Sequence, residues 1–184
     1  CKELSGEINE NQSIVSVAAG IKYESLKNSL PTKKIFRAMP NVGAKDNLGI
    51  TAIFSDTDNT EILEIFKFLG EAYEVENEDQ VDLHTVLIGS GPAFFYELLS
   101  EFEKRMDALV QEKDVKRLIS IVFLSSLITS IKNGESLEDL IESVASKGGT
   151  TEAGLNYLYK EKFNEIFSGA VDAGVKRAKE LSMD

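Results

Sequence analysis

Four short stretches of this chain combine glycines, hydroxyls and an amide in patterns able to hold a small anion or a nucleotide. In "SKGGTT" (146–151) two glycines follow a lysine, and two threonines lead into a helix-like segment. Backbone N–H groups left free at a helix N-terminus attract a carboxylate or phosphate. A threonine hydroxyl beside them adds one more donor or acceptor. The same residues also make an ordinary flexible turn with a threonine cap. "IGSGPAFF" (88–95) has the same two meanings, its plain one being a tight turn with Pro92 opening a long helix. "VAAG" (17–20) and "RAMPN" (37–41) close strand-like runs. Ligands of open α/β sheets bind at the carboxyl ends of strands, although such residues also simply end a strand.

Composition narrows the chemistry. The chain has 184 residues, 42% of them hydrophobic, enough to bury a sizeable core. Acidic side chains number 31 against 20 basic ones, a formal net charge of −11. That balance disfavours a nucleic-acid partner, which requires a basic surface. One cysteine, Cys1, excludes an internal disulfide framework and a cysteine zinc site, and one histidine, His84, excludes imidazole-rich metal sites. No metal is expected, and His84 is read as a structural or surface residue. The most apolar run, Leu118 to Ile131, is broken by serines and Thr129 and falls short of the roughly 20 residues needed to cross a bilayer. No membrane association is expected, no signal peptide is visible, and the expected location is the cytoplasm.

The elements that must position these residues fall into two classes. "SIVSVAAG" (13–20), "KIFRAMPN" (34–41), "GITAIFS" (49–55) and "EAYEVE" (71–76) read as strands, and "YESLKNSL" (23–30) and "TEILEIFKFLG" (60–70) as helices between them. This alternation indicates an α/β, parallel sheet. After about Glu78 only helices follow: 92–110, 114–134, one capped by Ser136 with Asp139 in the capping-box position, and two more after the glycine pair. The expected domains are therefore 1–77 and 78–184. In the 114–134 helix, apolar residues run nearly all the way round, which calls for burial on every side. Pairing with a second copy of the chain is the simplest way to supply that burial.

Taken together and in order, "SVAAG", "RAMPN", "GSGPA" and "SKGGTTEAGL" resemble the pyrroline-5-carboxylate reductase family, from about Ile14 nearly to the C-terminus. The resemblance implies α/β then all-α architecture: a Rossmann domain followed by a helical dimerisation domain that forms an intertwined homodimer, often assembled further. It implies hydride transfer from NADPH or NADH to the C=N carbon of a cyclic imine bearing a carboxylate, giving L-proline. Backbone N–H groups around Gly148, Gly149 and Thr150 would take the carboxylate, and Val144 and Ser146 would line the pocket. The Thr151 hydroxyl, the expected catalytic group, would hydrogen-bond the ring nitrogen. Ala18, Ala19 and Gly20 would lie along the cofactor, with Asn41 near the nicotinamide ribose. Ser90, Gly91 and Pro92 would form a turn at the domain junction. Glu78, also at that junction, is expected to cap a helix rather than touch the cofactor. Each site would draw on two subunits.

Three departures from the family pattern stand out. Lys147 replaces a proline, Ile88 replaces a serine, and "MPNVGA" replaces "MPNTPA". The chain opens on Cys1, and no G-x-G-x-x-G stands in its opening residues. The resemblance thus implies that the first dinucleotide-binding part of the Rossmann domain lies upstream, and that the chain alone is inactive. Two rivals remain. One is another reductase with a Rossmann and a helical domain, which would use a lysine early in the helix after "GSGP", where Lys104 is the first lysine and comes too late. The other is a non-catalytic dimerisation or ligand-sensing module of the same fold.

Overall fold

A computed structural model describes residues 6–107 and 114–181. The elements are β1 (Ile14–Ser16), α1 (Tyr23–Ser29), β2 (Ile35–Pro40), β3 (Gly49–Phe54), α2 (Thr60–Lys67), β4 (Gly70–Glu74) and α3 (Glu78–His84). A π-helical segment (Thr85–Ser90) leads into α4 (Gly91–Asp107), then α5 (Val115–Asn133), α6 (Leu137–Val144), α7 (Thr150–Lys160) and α8 (Phe163–Leu181). The expected α/β-then-helical order is present; the part of the first long helix placed at 108–110 lies outside the described residues.

The four strands form one sheet in the order β1-β2-β3-β4. Side chains alternate along β2. Ile35 packs with Tyr23, Leu26 and Leu30 of the α1 region, and Met39 packs with Val81 of α3. Phe36 and Ala38 face the other way and pack with Ile53 and with Ile62 of α2. The sheet is therefore covered by α1 and α3 on one face and α2 on the other. One pairing corrects the parallel expectation: β1–β2 and β3–β4 are parallel, but β2–β3 is antiparallel. The reason is chain length. A parallel crossover needs about a dozen residues or more, and residues 41–48 supply only a 3-10 turn (Val42–Asp46) closed by Asn47 in the left-handed region at φ 57°.

Arg37, also on the α1–α3 face, is 1% exposed. Its Nη1 donates to Glu78 Oε1 at 2.6 Å and lies 3.5 Å from Asp82 Oδ1, and Lys22 Nζ reaches Asp82 Oδ2 at 3.1 Å. Two cations and two carboxylates thus neutralise each other between β2, α3 and the start of α1. The Tyr23 N–H, at the first residue of α1, donates to the same Glu78 Oε1 at 2.6 Å. Glu78 does cap a helix, but it is α1 rather than its own, which is capped by Asn77 accepting from the Gln80 N–H at 3.1 Å. His84 bonds the Gln80 carbonyl through Nδ1 at 2.5 Å and meets the Tyr73 ring edge-on, a structural role.

The turn expected at Ser90–Pro92 is absent. Helix runs without a break from α3 through the π-helical segment into α4. Proline inside a helix lacks an N–H and crowds the carbonyl four residues back, here that of Ile88. The wider π turn around Ile88 absorbs that conflict, as single π turns inside helices do.

By compactness the chain divides into residues up to Pro92 together with those from Ala170 onward, and Ala93–Gly169. This differs from a 77/78 boundary because α3 and the π-helical segment pack on β2, and α3 also on β3. In the helical unit, edge-to-face rings link Phe123 with Phe95 at 5.3 Å and with Phe102 at 5.0 Å. Only Val115 and Ile119 are buried among that unit's described hydrophobics. Helix α5 is therefore not enclosed within one chain: Val122 and Leu124 are each 57% exposed, and Ile131 is 82%. Its apolar surface exceeds what the neighbouring helices α4 and α6 can cover. Ser136 caps α6 as expected, accepting from the Asp139 N–H at 3.1 Å while its hydroxyl donates to Asp139 Oδ2 at 2.7 Å. No helix among the described residues is long and apolar enough to cross a membrane.

Asp56 ties the end of β3 to α1. It accepts from Lys27 Nζ at 2.5 Å and from the Tyr23 hydroxyl. The Lys27 hydrogen bond first, and the Tyr23 one second, hold its carboxyl below the usual range. A lowered folded pKa gives stability that is present above the unfolded value of about 3.9 and lost as pH falls through the folded one. Because Lys27 and Asp56 are 37% and 44% exposed, solvent screens the pair and the effect is modest. Asp56→Asn should therefore lower the melting temperature at neutral pH, with the gap to the parent closing below about pH 4. A gap of constant size across that acid range, read by thermal melts, would remove the Asp56 charge from this account.

Candidate functional site

The sheet gathers the first group of candidate residues at one end. Because β1 and β2 are parallel, the loop after β1 and the residue after β2 leave the sheet on the same side. Ala18 and Ala19 are exposed, and the backbone turns at Gly20 with φ +75°. At the end of β2, Asn41 Oδ1 accepts from the Gly43 N–H at 3.2 Å and the Ile50 N–H at 3.1 Å. The Asn41 carbonyl oxygen is thus engaged in pinning the β2–β3 connection, and its amide Nδ2 remains available to a ligand. The "VG" departure has a local cause: a Cβ on Gly43 would meet the Leu48 carbonyl at 2.6 Å. The tight connection excludes any side chain there.

Ser90 ends the π-helical segment, with its hydroxyl 3.4 Å from the Thr85 carbonyl. Gly91 and Pro92 open α4. The π-helical segment packs against β2, the strand that ends at Asn41. These residues therefore present a distorted helix, not a turn, to the sheet.

The second group lies between α6 and α7. Val144 ends α6 and is 67% exposed. Gly148 has φ +75°, a conformation costly for any residue with a Cβ. Gly149 is favoured for a different reason, since a Cβ there would come within 2.9 Å of the Ser146 carbonyl oxygen and crowd the Ser146 hydroxyl. The Gly149 N–H donates to the Ser146 carbonyl at 2.9 Å, and the Gly148 N–H to Glu152 Oε2 at 2.6 Å. Both glycine donors expected to face a ligand are therefore engaged inside the turn. The free donors lie one step later. Gly149 is the N-cap of α7 and has no side chain to satisfy the first N–H groups, those of Thr150, Thr151 and Glu152. Thr151 is half-buried, and neither its hydroxyl nor Lys147 Nζ has a protein partner among the described residues. The turn thus offers N–H groups at a helix N-terminus and one cation, with the Glu152 carboxylate folded back on the Gly148 N–H, chemistry able to take a small carboxylate.

Sequence reading did not single out Arg37, Lys22 and Asp82. The signal was present: an arginine in the middle of the apolar strand "IFRAMP" must find carboxylates if it is buried. Among the described residues, no group of three or more His, Cys, Asp or Glu could hold a metal ion.

A mostly parallel sheet with small residues at its strand ends, followed by a helical run with a glycine-built turn at a helix N-terminus, defines a Rossmann-type sheet joined to a helical domain. Comparison with known proteins narrows the class. The family model described as pyrroline-5-carboxylate reductase dimerisation matches residues 78–181. A pyrroline-5-carboxylate reductase of Staphylococcus haemolyticus is 33% identical over 95% of this chain and 67% of its own length. Pyrroline-5-carboxylate reductase 1 of Bacillus subtilis is 34% identical over 98% and 63%. The structure of a pyrroline-5-carboxylate reductase from Coxiella burnetii superposes with a TM-score of 0.87 at 28% identity, over 99% of this chain and 70% of that one. A Plasmodium falciparum pyrroline carboxylate reductase with NADP bound shares the fold, with a TM-score of 0.84 at 22% identity, over 94% and 72%. The chain belongs to the pyrroline-5-carboxylate reductase family, and it spans about two thirds of the length of these curated relatives.

Gly149→Ala tests the turn. Overpacking of this kind typically costs about 1–3 kcal/mol, here concentrated at the α6–α7 connection. The expected outcome is a lower melting temperature together with loss of amide-exchange protection in the first turn of α7. An alanine variant with unchanged melting and exchange would show that Ser146 can move aside.

Proposed function

We propose that the natural protein containing this chain reduces 1-pyrroline-5-carboxylate to L-proline with NADPH or NADH, in the cytoplasm. The observation that carries the proposal is the start of α7, where among the described residues the Thr150 and Thr151 N–H groups and the Thr151 hydroxyl have no protein partner. The nicotinamide cofactor, when bound, supplies the hydride that reaches the C=N carbon. The residues at the carboxyl ends of β1 and β2 fit such a group. Ala18, Ala19 and Gly20 leave room for it, and Asn41 keeps Nδ2 as a donor while its oxygen is held by the backbone. Ser90, Gly91 and Pro92 extend this side through the π-helical segment against β2.

The residues of the α6–α7 turn hold the substrate. Its carboxylate accepts from the N–H groups of Thr150 and Thr151, in a turn whose shape Gly148 and Gly149 set and which Val144 and Ser146 flank. The Thr151 hydroxyl hydrogen-bonds the ring nitrogen and fixes which face of the C=N carbon is presented. With the ring nitrogen already protonated, hydride addition to the C=N carbon would move the π electrons onto nitrogen and leave a neutral secondary amine, with Thr151 accepting from that N–H throughout. Fixing the ring in this way supplies orientation. Lys147, which stands where the family pattern has proline, adds a positive charge beside the carboxylate.

Two features support a homodimer. The family match that begins at residue 78 is described as dimerisation, and α5 exposes apolar residues along its length. The division this reading favours is 1–77 for the cofactor side and 78–184 for dimerisation and substrate binding, with α3 and Thr85–Pro92 also bordering the cofactor side.

In the natural full-length chain, Thr151→Ala should lower kcat by about tenfold or more, equivalent to about 1.4 kcal/mol. The reading is tested by NAD(P)H oxidation with pyrroline-5-carboxylate; unchanged kinetics would remove Thr151 from the reaction, and an inactive parent would remove the function. Separately, replacing both Leu124 and Ile128 with glutamate should convert a dimer to monomers in sedimentation velocity. A parent that sediments as a monomer at micromolar concentration would sink the dimer.

A further inference from the structure

The loop after β1, Val17 to Ile21, makes few hydrogen bonds of its own, and Leu181 at the end of α8 lies against it at Gly20. The only hydrogen bond within it among the described residues runs from the Ala18 N–H to Ser16 Oγ at 3.4 Å, and Val17, Ala18 and Ala19 are exposed. Upstream it is fixed by the short pairing of β1 with β2. Downstream it ends at Lys22 and Tyr23, and both are held by carboxylates from α3. Glu78 Oε1 accepts from the Tyr23 N–H and from Arg37 Nη1, each at 2.6 Å. Lys22 Nζ lies 3.1 Å from Asp82 Oδ2 and 3.9 Å from Glu78 Oε2.

Arg37 makes this anchor rigid. It is 1% exposed, it stands on β2 opposite Ser16 of β1, and its Nη2 has no hydrogen-bond partner. A buried guanidinium cannot leave its carboxylates without large cost, so Glu78 is held against it, and from there the same oxygen holds the first residue of α1. The four charges lie around the carboxyl end of β1, where the nucleotide is expected.

We propose that Glu78 and Arg37 are positioning residues for the cofactor. Neither touches it. They set the conformation of the Val17–Ile21 loop by holding the N-terminus of α1, and so determine how well the loop receives the dinucleotide. The cofactor part of this inference rests on the function proposed above; the positioning part does not.

The test compares parent, Glu78→Gln and Glu78→Ala. Amide exchange by mass spectrometry on this chain should show faster exchange across residues 17–23 in both variants, with β3 amides unchanged, and a larger effect for alanine. Glutamine keeps an acceptor for the Tyr23 N–H and should rescue part of the protection. In the natural full-length chain, the KM for NADPH should rise by about fivefold for alanine, while the KM for pyrroline-5-carboxylate stays within about twofold. A purely structural role would change melting without this split. If alanine does not fold, glutamine carries the test, with an expected NADPH KM rise of about threefold. Unchanged exchange over 17–23 overturns the positioning, and an unchanged NADPH KM in an active parent overturns its link to the cofactor. An inactive parent overturns the functional reading, and the exchange comparison still decides the positioning.

Discussion

A guanidinium in the middle of a β-strand, nearly removed from water, is the constraint from which much of the sheet unit follows. Arg37 has to be neutralised where it stands. Its carboxylates come from one helix, at Glu78 and Asp82, four residues apart and so on one face of α3. That pairing fixes the rotation of α3 against the sheet and turns Val81 toward Met39 and Ala52. The two carboxylates then need a second cation, which Lys22 supplies from the approach to α1. One buried charge thereby specifies the packing of two helices on one face. Replacing such a network with apolar residues often leaves a protein equally stable. Its value here is specificity of placement.

The second constraint is a short connection. Residues 41–48 are too few for a crossover, so β3 must run back along β2, and the tight turn leaves no room for a Cβ at Gly43. Asn41 serves this turn and the candidate site at once. Its oxygen holds the amides of Gly43 and Ile50, which fixes the side chain's rotation. Its nitrogen then has a defined direction without needing a ligand to order it. A site residue that is oriented by the fold itself loses little entropy on binding.

The element order was almost wholly legible in the sequence, because periodicity and capping are local properties. Ser136 with Asp139 marked the start of α6, while Gly70, read as the end of the preceding helix, opens β4. Strand direction was misread at β2–β3, although the count of residues 41–48 already decided it. The Ser90–Pro92 turn was misread because Gly and Pro usually break helices, and only the packing of Thr85–Ser90 on β2 shows how a π turn lets the helix continue. At the candidate site, the residue types were legible but the donors were not. Glycine amides at 148 and 149 look free in a sequence; the turn uses both internally and passes the role to the start of α7. The Arg37 network joins residues far apart in the chain, and no local pattern announces which carboxylates will meet.

The helical unit shows what happens when a sequence satisfies local rules that a single chain cannot complete. Helix α5 is well formed, and its apolar residues point in nearly every direction, so no one neighbour can cover them. Within the chain, Phe95, Phe102 and Phe123 form a ring cluster on one side. On the flanks of that side Val122, Leu124 and Ile131 stay more than half exposed. An apolar surface of that extent on a soluble monomer would drive association in any case. Helices α6 and α7 add Leu137, Val144 and Tyr157, each more than half exposed. Covering these at about 25 cal/mol per Å² favours a large interface over a small one. In the proposed homodimer a second copy would offer the same apolar helices in return, and a two-fold axis would let each chain cover the surface that it cannot cover for itself.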